Sequence, residues 1–268
     1  MGEPEFEHDG SLVTVVVDGQ PQSAVDLDDP TRLDFEYVQH LAMCVDALAP
    51  AGPLRVTHVG GAGLTLARWV QHTRPGSPQI VFEPDAALTD AVRRRLPLPR
   101  GHRIRVRGLD GVSGLAGLKD ASADVVLVDA YRQGRVPAEL GSLEWFAEVA
   151  RVVGPWGLLL ANLADEPGMR YAARVAAGAR QALGQAAFVA LHEVLKGKRF
   201  GNLVLVASRG PLDVWTLRRA TASAPLPTGV LAGDQLQGRT AGARPFRAGA
   251  GDTASSPDPP HRDAWRRW

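Results

Sequence analysis

The segment from residue 54 to residue 83 constrains the fold more than any other part of the chain. It reads as a short apolar strand, the glycine turn Gly60-Gly61-Ala62-Gly63, a helical stretch, a second strand and then Glu83. A unit of this kind builds a nucleoside pocket at the carboxyl edge of a parallel sheet. Glycines let backbone amides approach a ligand closely, and a carboxylate about 20 residues further on accepts the two hydrogen bonds that a ribose diol donates. Gly60, Gly61, Gly63 and Glu83 are therefore candidates for holding a ligand with an adenosine end.

Strand and helix signals alternate around this unit. Strands are predicted at 55–59, 79–82, 104–107, 124–129 and 158–162, and helices at 64–73, 85–96, 142–153 and 167–183, with Asp85 as a cap and Pro75-Gly76 as a stop. Val125-Val126-Leu127-Val128 is the most apolar run, as expected of a central parallel strand covered on both faces. Residues 187–194 and 202–208 read as a closing antiparallel hairpin. The predicted fold is α/β: a doubly wound, mostly parallel, seven-stranded Rossmann-like sheet closed by that hairpin.

Asp18-Gly19 between 11–17 and 22–27 predicts a small β-hairpin extension at the start, and Asp29-Pro30-Thr31 precedes a helix at 32–48. The expected division is an extension at 1–31, a catalytic domain at 32–210, a helical appendage at 211–239 with a helix at 212–222, and a tail at 240–268. The tail is rich in Gly, Ala, Pro, Ser and Arg, which predicts flexibility, including its Trp265-Arg266-Arg267-Trp268 end.

A chain of 268 residues with 45% hydrophobic content suits one large domain with appendages, and its net charge of +1 predicts no general affinity for nucleic acid or membrane. The one cysteine, Cys44, sits in an apolar helical run and reads as a buried structural thiol in a reducing compartment. With an acidic start and no apolar leader, a cytoplasmic protein is expected.

Two aspartates end strands on the pocket side. Asp129 could be a plain strand-end cap, yet at the carboxyl end of the central strand it faces the switch-point crevice, which favours a functional role. Asp110 reads equally as ligand contact and as cap of the short helix after it. The loop lacks the third glycine of a dinucleotide fingerprint, with Leu66 in that place, and no phosphate-loop Lys-Ser/Thr follows. His58, His72 and His192 show no metal-ligand spacing and read as structural. Lys196, Lys198 and Arg199 read as a solvated turn.

With these elements placed, the chain resembles the spermidine synthase family, the polyamine aminopropyltransferases, over residues 17–208. Val17-Asp18-Gly19-Gln20-Pro21-Gln22 resembles the family's strand-turn segment, whose glutamine contacts the nucleoside, and this marks Gln22. Phe35-Glu36-Tyr37 is similar to a segment whose tyrosine lines the amine pocket, so Tyr37, with Tyr131 beside Asp129, is an acceptor-side candidate. Gly60-Gly61-Ala62-Gly63 resembles the glycine loop, Glu83 the ribose acid, Asp110-Gly111 the aspartate beside the adenine amino group, and Asp129 the catalytic aspartate.

The resemblance implies a class I methyltransferase-like fold, decarboxylated S-adenosylmethionine or S-adenosylmethionine as co-substrate, no metal, aminopropyl transfer to a small amine, and a homodimer. A methyltransferase of unassigned acceptor and a non-catalytic nucleoside-binding protein are the alternatives. The incoming amine must be unprotonated, and a carboxylate such as Asp129 suits that need. The sequence departs from the family twice: Gly63-Leu64 replaces an aspartate inside the loop, and Arg132-Gln133 stands where a second aspartate follows the catalytic one. Arg132 and Arg135 would repel a polycation if they pointed inward.

Overall fold

The computed structural model describes residues 2–260, and in it the chain forms two sheets. The first is antiparallel: β1 (Glu5–Asp9), β2 (Leu12–Val17) and β3 (Gln20–Asp26), in that order. The expected hairpin is β2 and β3. The additional strand β1 pairs along β2 although its only apolar residue is Phe6, so its sequence carries almost no strand signal. Asp29 accepts from the Thr31 amide and hydroxyl, which closes a turn, and helix α1 (Glu36–Leu48) begins later than the cap chemistry suggested.

The second sheet is built by β4 (Val56–Val59), α2 (Thr65–Thr73), β5 (Gln79–Phe82), α3 (Ala86–Arg95), β6 (Ile104–Arg107), α4 (Gly111–Ala116), β7 (Val125–Val128), α5 (Leu143–Val153), β8 (Leu158–Asp165), α6 (Arg170–Leu183), β9 (Gln185–Leu191), α7 (His192–Leu195) and β10 (Gly201–Ser208). Its order is β11-β9-β10-β8-β7-β4-β5-β6, where β11 is Thr228–Ala232. The five strands β6, β5, β4, β7 and β8 are parallel, and β10 and β9 close the sheet antiparallel. The seven expected strands are all present. Leaving β4, the chain runs outward to β6 and then returns to β7 on the other side, which puts the switch point between β4 and β7.

The last strand along the chain is an eighth in this sheet, β11 (Thr228–Ala232), preceded by α8 (Val214–Ala222) and followed by α9 (Gly233–Arg239). Five residues with one glycine give a weak strand pattern, so the sequence predicts only helix in this appendage. Pairing with β9 and a bond between His40 Nε2 and Thr228 Oγ1 at 2.9 Å hold β11 in place.

One core lies between the sheet and α5 and α6, and a second between the sheet and α1, α2 and α8. All four residues of β7 and all eight of β8 are buried, which explains the unbroken apolar run of β7 and the mostly apolar one of β8, interrupted by Asn162 and Asp165. Cys44 is buried in the second core, and burial raises its thiol pKa far above the ordinary value. Among the described residues no helix is long and apolar enough to cross a membrane.

Composition made residues 240–268 a flexible tail, but through Pro260 the chain lies against the domain. Phe246 is 3% exposed and tilts against the Tyr171 ring, and Ser256 is 1% exposed. One aromatic and a few hydrogen-bonding groups suffice to dock a segment whose average composition is polar. Residues 261–268, with Trp265-Arg266-Arg267-Trp268, lie outside the described residues.

Candidate active site

The carboxyl ends of β4 and β7 converge on a cleft lined by Gln22, Tyr37, Gly60, Gly61 and Asp129, together with Ala62, Leu64 and Thr65. Four separate parts of the sequence therefore meet: β3, α1, the loop after β4 and the end of β7. Gln22 arrives because β3 is stitched to the start of α2: Thr65 Oγ1 donates to Ala24 O at 2.9 Å, and Ser23 Oγ lies 2.6 Å from Thr65 Oγ1. Tyr37 arrives from the first turn of α1.

The glycine loop is shaped by what surrounds it. Gly60 has φ +85°, and a Cβ there would lie 2.1 Å from Asp129 O, so glycine is needed for the ends of β4 and β7 to meet. Gly63 faces the N-terminal sheet, where a Cβ would approach Ser23 Oγ to 2.8 Å. The Gly61 and Ala62 amides both donate to Glu83 Oε2, at 3.1 and 3.3 Å, and the Asp85 amide donates to Glu83 Oε1 at 3.0 Å. Glu83 thus clamps the loop at the edge of the cleft.

Asp110 is placed differently from the cleft residues. It is exposed and caps α4: Oδ1 accepts from the Ser113 amide and Oδ2 from the Ser113 hydroxyl, both at 2.9 Å. The capping bonds hold its pKa below the usual carboxylate value. Gly111 is buried beneath it, and a Cβ would strike Val59 Cγ1 at 2.4 Å, so this glycine permits α4 to pack on β4.

Asp129 is half-buried. Burial pushes its carboxyl up to about 6, against hydrogen bonds from Asn162 and Tyr37 that favour the charged form. Asn162 Nδ2 donates to Asp129 Oδ1 at 3.0 Å. Asn162 Oδ1 and the Tyr131 hydroxyl are both buried without a hydrogen-bond partner among the described residues. Burial raises the Tyr131 hydroxyl pKa well above the ordinary phenol value, and the nearby Asp129 and Glu36 carboxylates add to the shift.

Sequence reasoning missed Asn162, Asn202 and Glu36 as site components. Val204 pairs with Asn162 and Asn202 pairs with Ala164, so both asparagines share one face of the sheet beside Asp129. Asn202 Nδ2 donates to Glu36 Oε1 at 3.4 Å, which places a second carboxylate across the strands from the first. The available signal was an asparagine inside an otherwise apolar buried strand, since a buried amide needs a reason.

Arg132 and Arg135 point away from the cleft. Arg132 is ion-paired with Glu139, Arg135 Nε lies 3.2 Å from Asp258 Oδ1, and their side chains are 66% and 42% exposed. The repulsion expected of an inward orientation is absent. His58 is a core residue: it bonds Gln79 Oε1 at 2.8 Å, and burial lowers its pKa to about 4.

Comparison with known proteins follows the same line. No protein-family model matches the chain. A polyamine aminopropyltransferase of Chromobacterium violaceum is 24% identical over 164 residues, which cover 60% of this chain and 62% of that protein. The chain thus matches less than two thirds of the length of that curated relative. A probable spermidine synthase of Corynebacterium glutamicum aligns at a TM-score of 0.84 with 27% identity, covering 96% of this chain and 95% of the other. A spermidine synthase in complex with the transition-state analogue AdoDATO shares the fold, with a TM-score of 0.57 at 14% identity over 82% of this chain and 77% of that one. The chain is similar to the polyamine aminopropyltransferases in sequence and to spermidine synthases in fold.

Proposed function

We propose that the chain is an aminopropyltransferase-like enzyme that binds a sulfonium nucleoside, decarboxylated S-adenosylmethionine or S-adenosylmethionine, and transfers an alkyl group to a small amine. The observation that carries this reading is Asp129: a half-buried carboxylate at the switch point, bonded to Asn162 and lining the same cleft as Tyr37, with its pKa raised by burial to about 6. Such a group is ionised at neutral pH and still basic enough to accept a proton from an amine.

In the proposed reaction the amine lone pair forms a bond to the methylene carbon next to sulfur. The carbon–sulfur bond breaks with its electrons passing to sulfur, which leaves a neutral thioether, and the nitrogen gives its proton to Asp129. Gln22 and Glu83 serve the nucleoside, with Gly60, Gly61 and Gly63 shaping the loop beside it and Asp110 with Gly111 at the base end. Tyr37 and Tyr131 border the acceptor. The two carboxylates of Asp129 and Glu36 suit a cationic acceptor, and the outward orientation of Arg132 and Arg135 removes the main objection to one. A cytoplasmic location and pairing of two copies through the N-terminal sheet belong to the same proposal; sedimentation reads the latter.

Methyl transfer is the second reading, favoured by Gly63 and the buried apolar Leu64, in whose place the resemblance expects an acid. The test is incubation of purified protein with 1,4-diaminobutane and each donor in turn. Aminopropylated product that disappears in Asp129→Asn supports the proposal. Methylated product assigns the second reading, and tight binding of methylthioadenosine with no product from either donor overturns catalysis altogether.

A further inference from the structure

The chain leaving Asp129 is held from outside by the C-terminal segment. Residues 132–135 form a tight hairpin, in which the Arg132 amide donates to Arg135 O at 2.8 Å and the Arg135 amide to Arg132 O at 3.2 Å. Gln133 at φ 53° and Gly134 at φ 77° give both central residues positive φ, as a type I′ turn requires. So short a ribbon has no independent stability. Its other end, Ala130-Tyr131, leads directly from Asp129, and the buried Tyr131 hydroxyl lies in the field of that carboxylate.

Val136, the next residue, is 1% exposed and exchanges two hydrogen bonds with Ser256, also 1% exposed. The Val136 amide donates to Ser256 Oγ at 2.9 Å, and the Ser256 amide donates to Val136 O at 3.3 Å. Pro259 covers the turn, since a Cβ on Gly134 would lie 3.0 Å from its Cγ. Upstream, the segment is anchored on the body of the domain. The Leu143 amide donates to Phe246 O at 2.9 Å, Arg174 stacks over the Phe246 ring at 4.0 Å, and its Nη2 reaches Asp252 Oδ2 at 2.5 Å.

We infer that Ser256 is a positioning residue for the acceptor side: its hydroxyl and amide fix the 130–136 loop and thereby the place of Tyr131 beside Asp129. This rests on the reading of that side as the acceptor site. Removing the hydroxyl leaves the Val136 N–H without a partner where water does not reach, whereas the solvent-exposed pair of Arg135 with Asp258 contributes little. The hold is therefore the buried bond.

The test uses full-length Ser256→Ala, Ser256→Thr and Asp258→Asn. In Ser256→Ala, deuterium uptake by the peptide 130–139 accelerates at least tenfold and the KM for the amine rises about tenfold, while the Kd of methylthioadenosine stays within twofold of wild type. Ser256→Thr, which keeps the hydroxyl, restores both, and Asp258→Asn behaves as wild type. Unchanged exchange in 130–139 overturns the inference, and so does equal weakening of amine and methylthioadenosine, which marks a general loss of fold. A wild-type protein that makes no product overturns the functional reading, and the exchange and nucleoside measurements then decide the attachment alone.

Discussion

Asn162 hands its side-chain amide to Asp129 Oδ1 at 3.0 Å, across the junction of two parallel strands that are buried along their whole length. The bond fixes the direction of the carboxylate and favours its charged form. Burial works the other way and dominates, leaving the group near pKa 6.

A pH profile follows from that balance. In the proposed reaction the ionised form accepts the amine's proton, so kcat/KM is expected to fall as pH drops through about 6. Asn162→Leu removes a bond to the charged form and moves this acid limb to higher pH. Profiles of the two proteins side by side check both statements, and an unmoved limb in the variant would assign it to another group.

Asp129→Asn separates stability from turnover. The folded pKa of about 6 lies above the ordinary 3.8, so the folded state binds more protons between these values, and this group's contribution declines as pH rises through 6. Replacing it relieves about 2 kcal/mol of penalty at neutral pH, at 1.36 kcal/mol per pKa unit discounted for partial exposure. Denaturant titration shows the gain at pH 8 and almost none at pH 4, while turnover drops by at least about 100-fold.

Gly60→Ala collapses the junction of β4 and β7. A methyl group 2.1 Å from Asp129 O, on a residue at φ +85°, cannot be relieved by a side-chain rotation because the obstacle is backbone. Thermal unfolding should record a loss of about 3 kcal/mol or more, with methylthioadenosine binding lost as well.

Glu36→Gln distinguishes amines by charge. With Glu36 held by Asn202 across the sheet from Asp129, a diamine loses an ionic partner for its second ammonium and a monoamine loses nothing. The KM for 1,4-diaminobutane rises about tenfold or more, in line with a charge-assisted hydrogen bond of about 1.5–3 kcal/mol. Butylamine, assayed in parallel, keeps its wild-type KM.

Arg132→Ala leaves the amine KM unchanged within about twofold. Its guanidinium faces solvent and pairs with Glu139, an exposed pair that contributes at most about 1 kcal/mol to stability. A clear fall in KM would show that the arginine does reach the acceptor.

The elements around the loop were legible because each is marked within a few consecutive residues. Asp85 accepts from the Leu88 amide as a helix cap should, and Ser142 does the same for Trp145. Val125-Val126-Leu127-Val128 is a covered parallel strand because only such a strand has no polar face to show. The reading weakened where a strand is made by its neighbour. β1 exists because β2 offers an edge, β11 because β9 does, and residues 240–260 are docked by Phe246 and Ser256 against a general composition that suggested disorder.

By itself the sequence determined the alternation of strand and helix, the glycine loop with its acid, and a carboxylate at the end of the central strand. These depend on periodicity and turn chemistry, which act over a few residues. Only the tertiary structure decided that Glu83 grips the loop amides, that Asn162 bonds Asp129 from 33 residues away and Asn202 bonds Glu36 from 166, and that Arg132 and Arg135 turn outward. Those facts depend on which strands lie side by side, and the register of distant strands is set by the whole packed sheet rather than by any local run of residues.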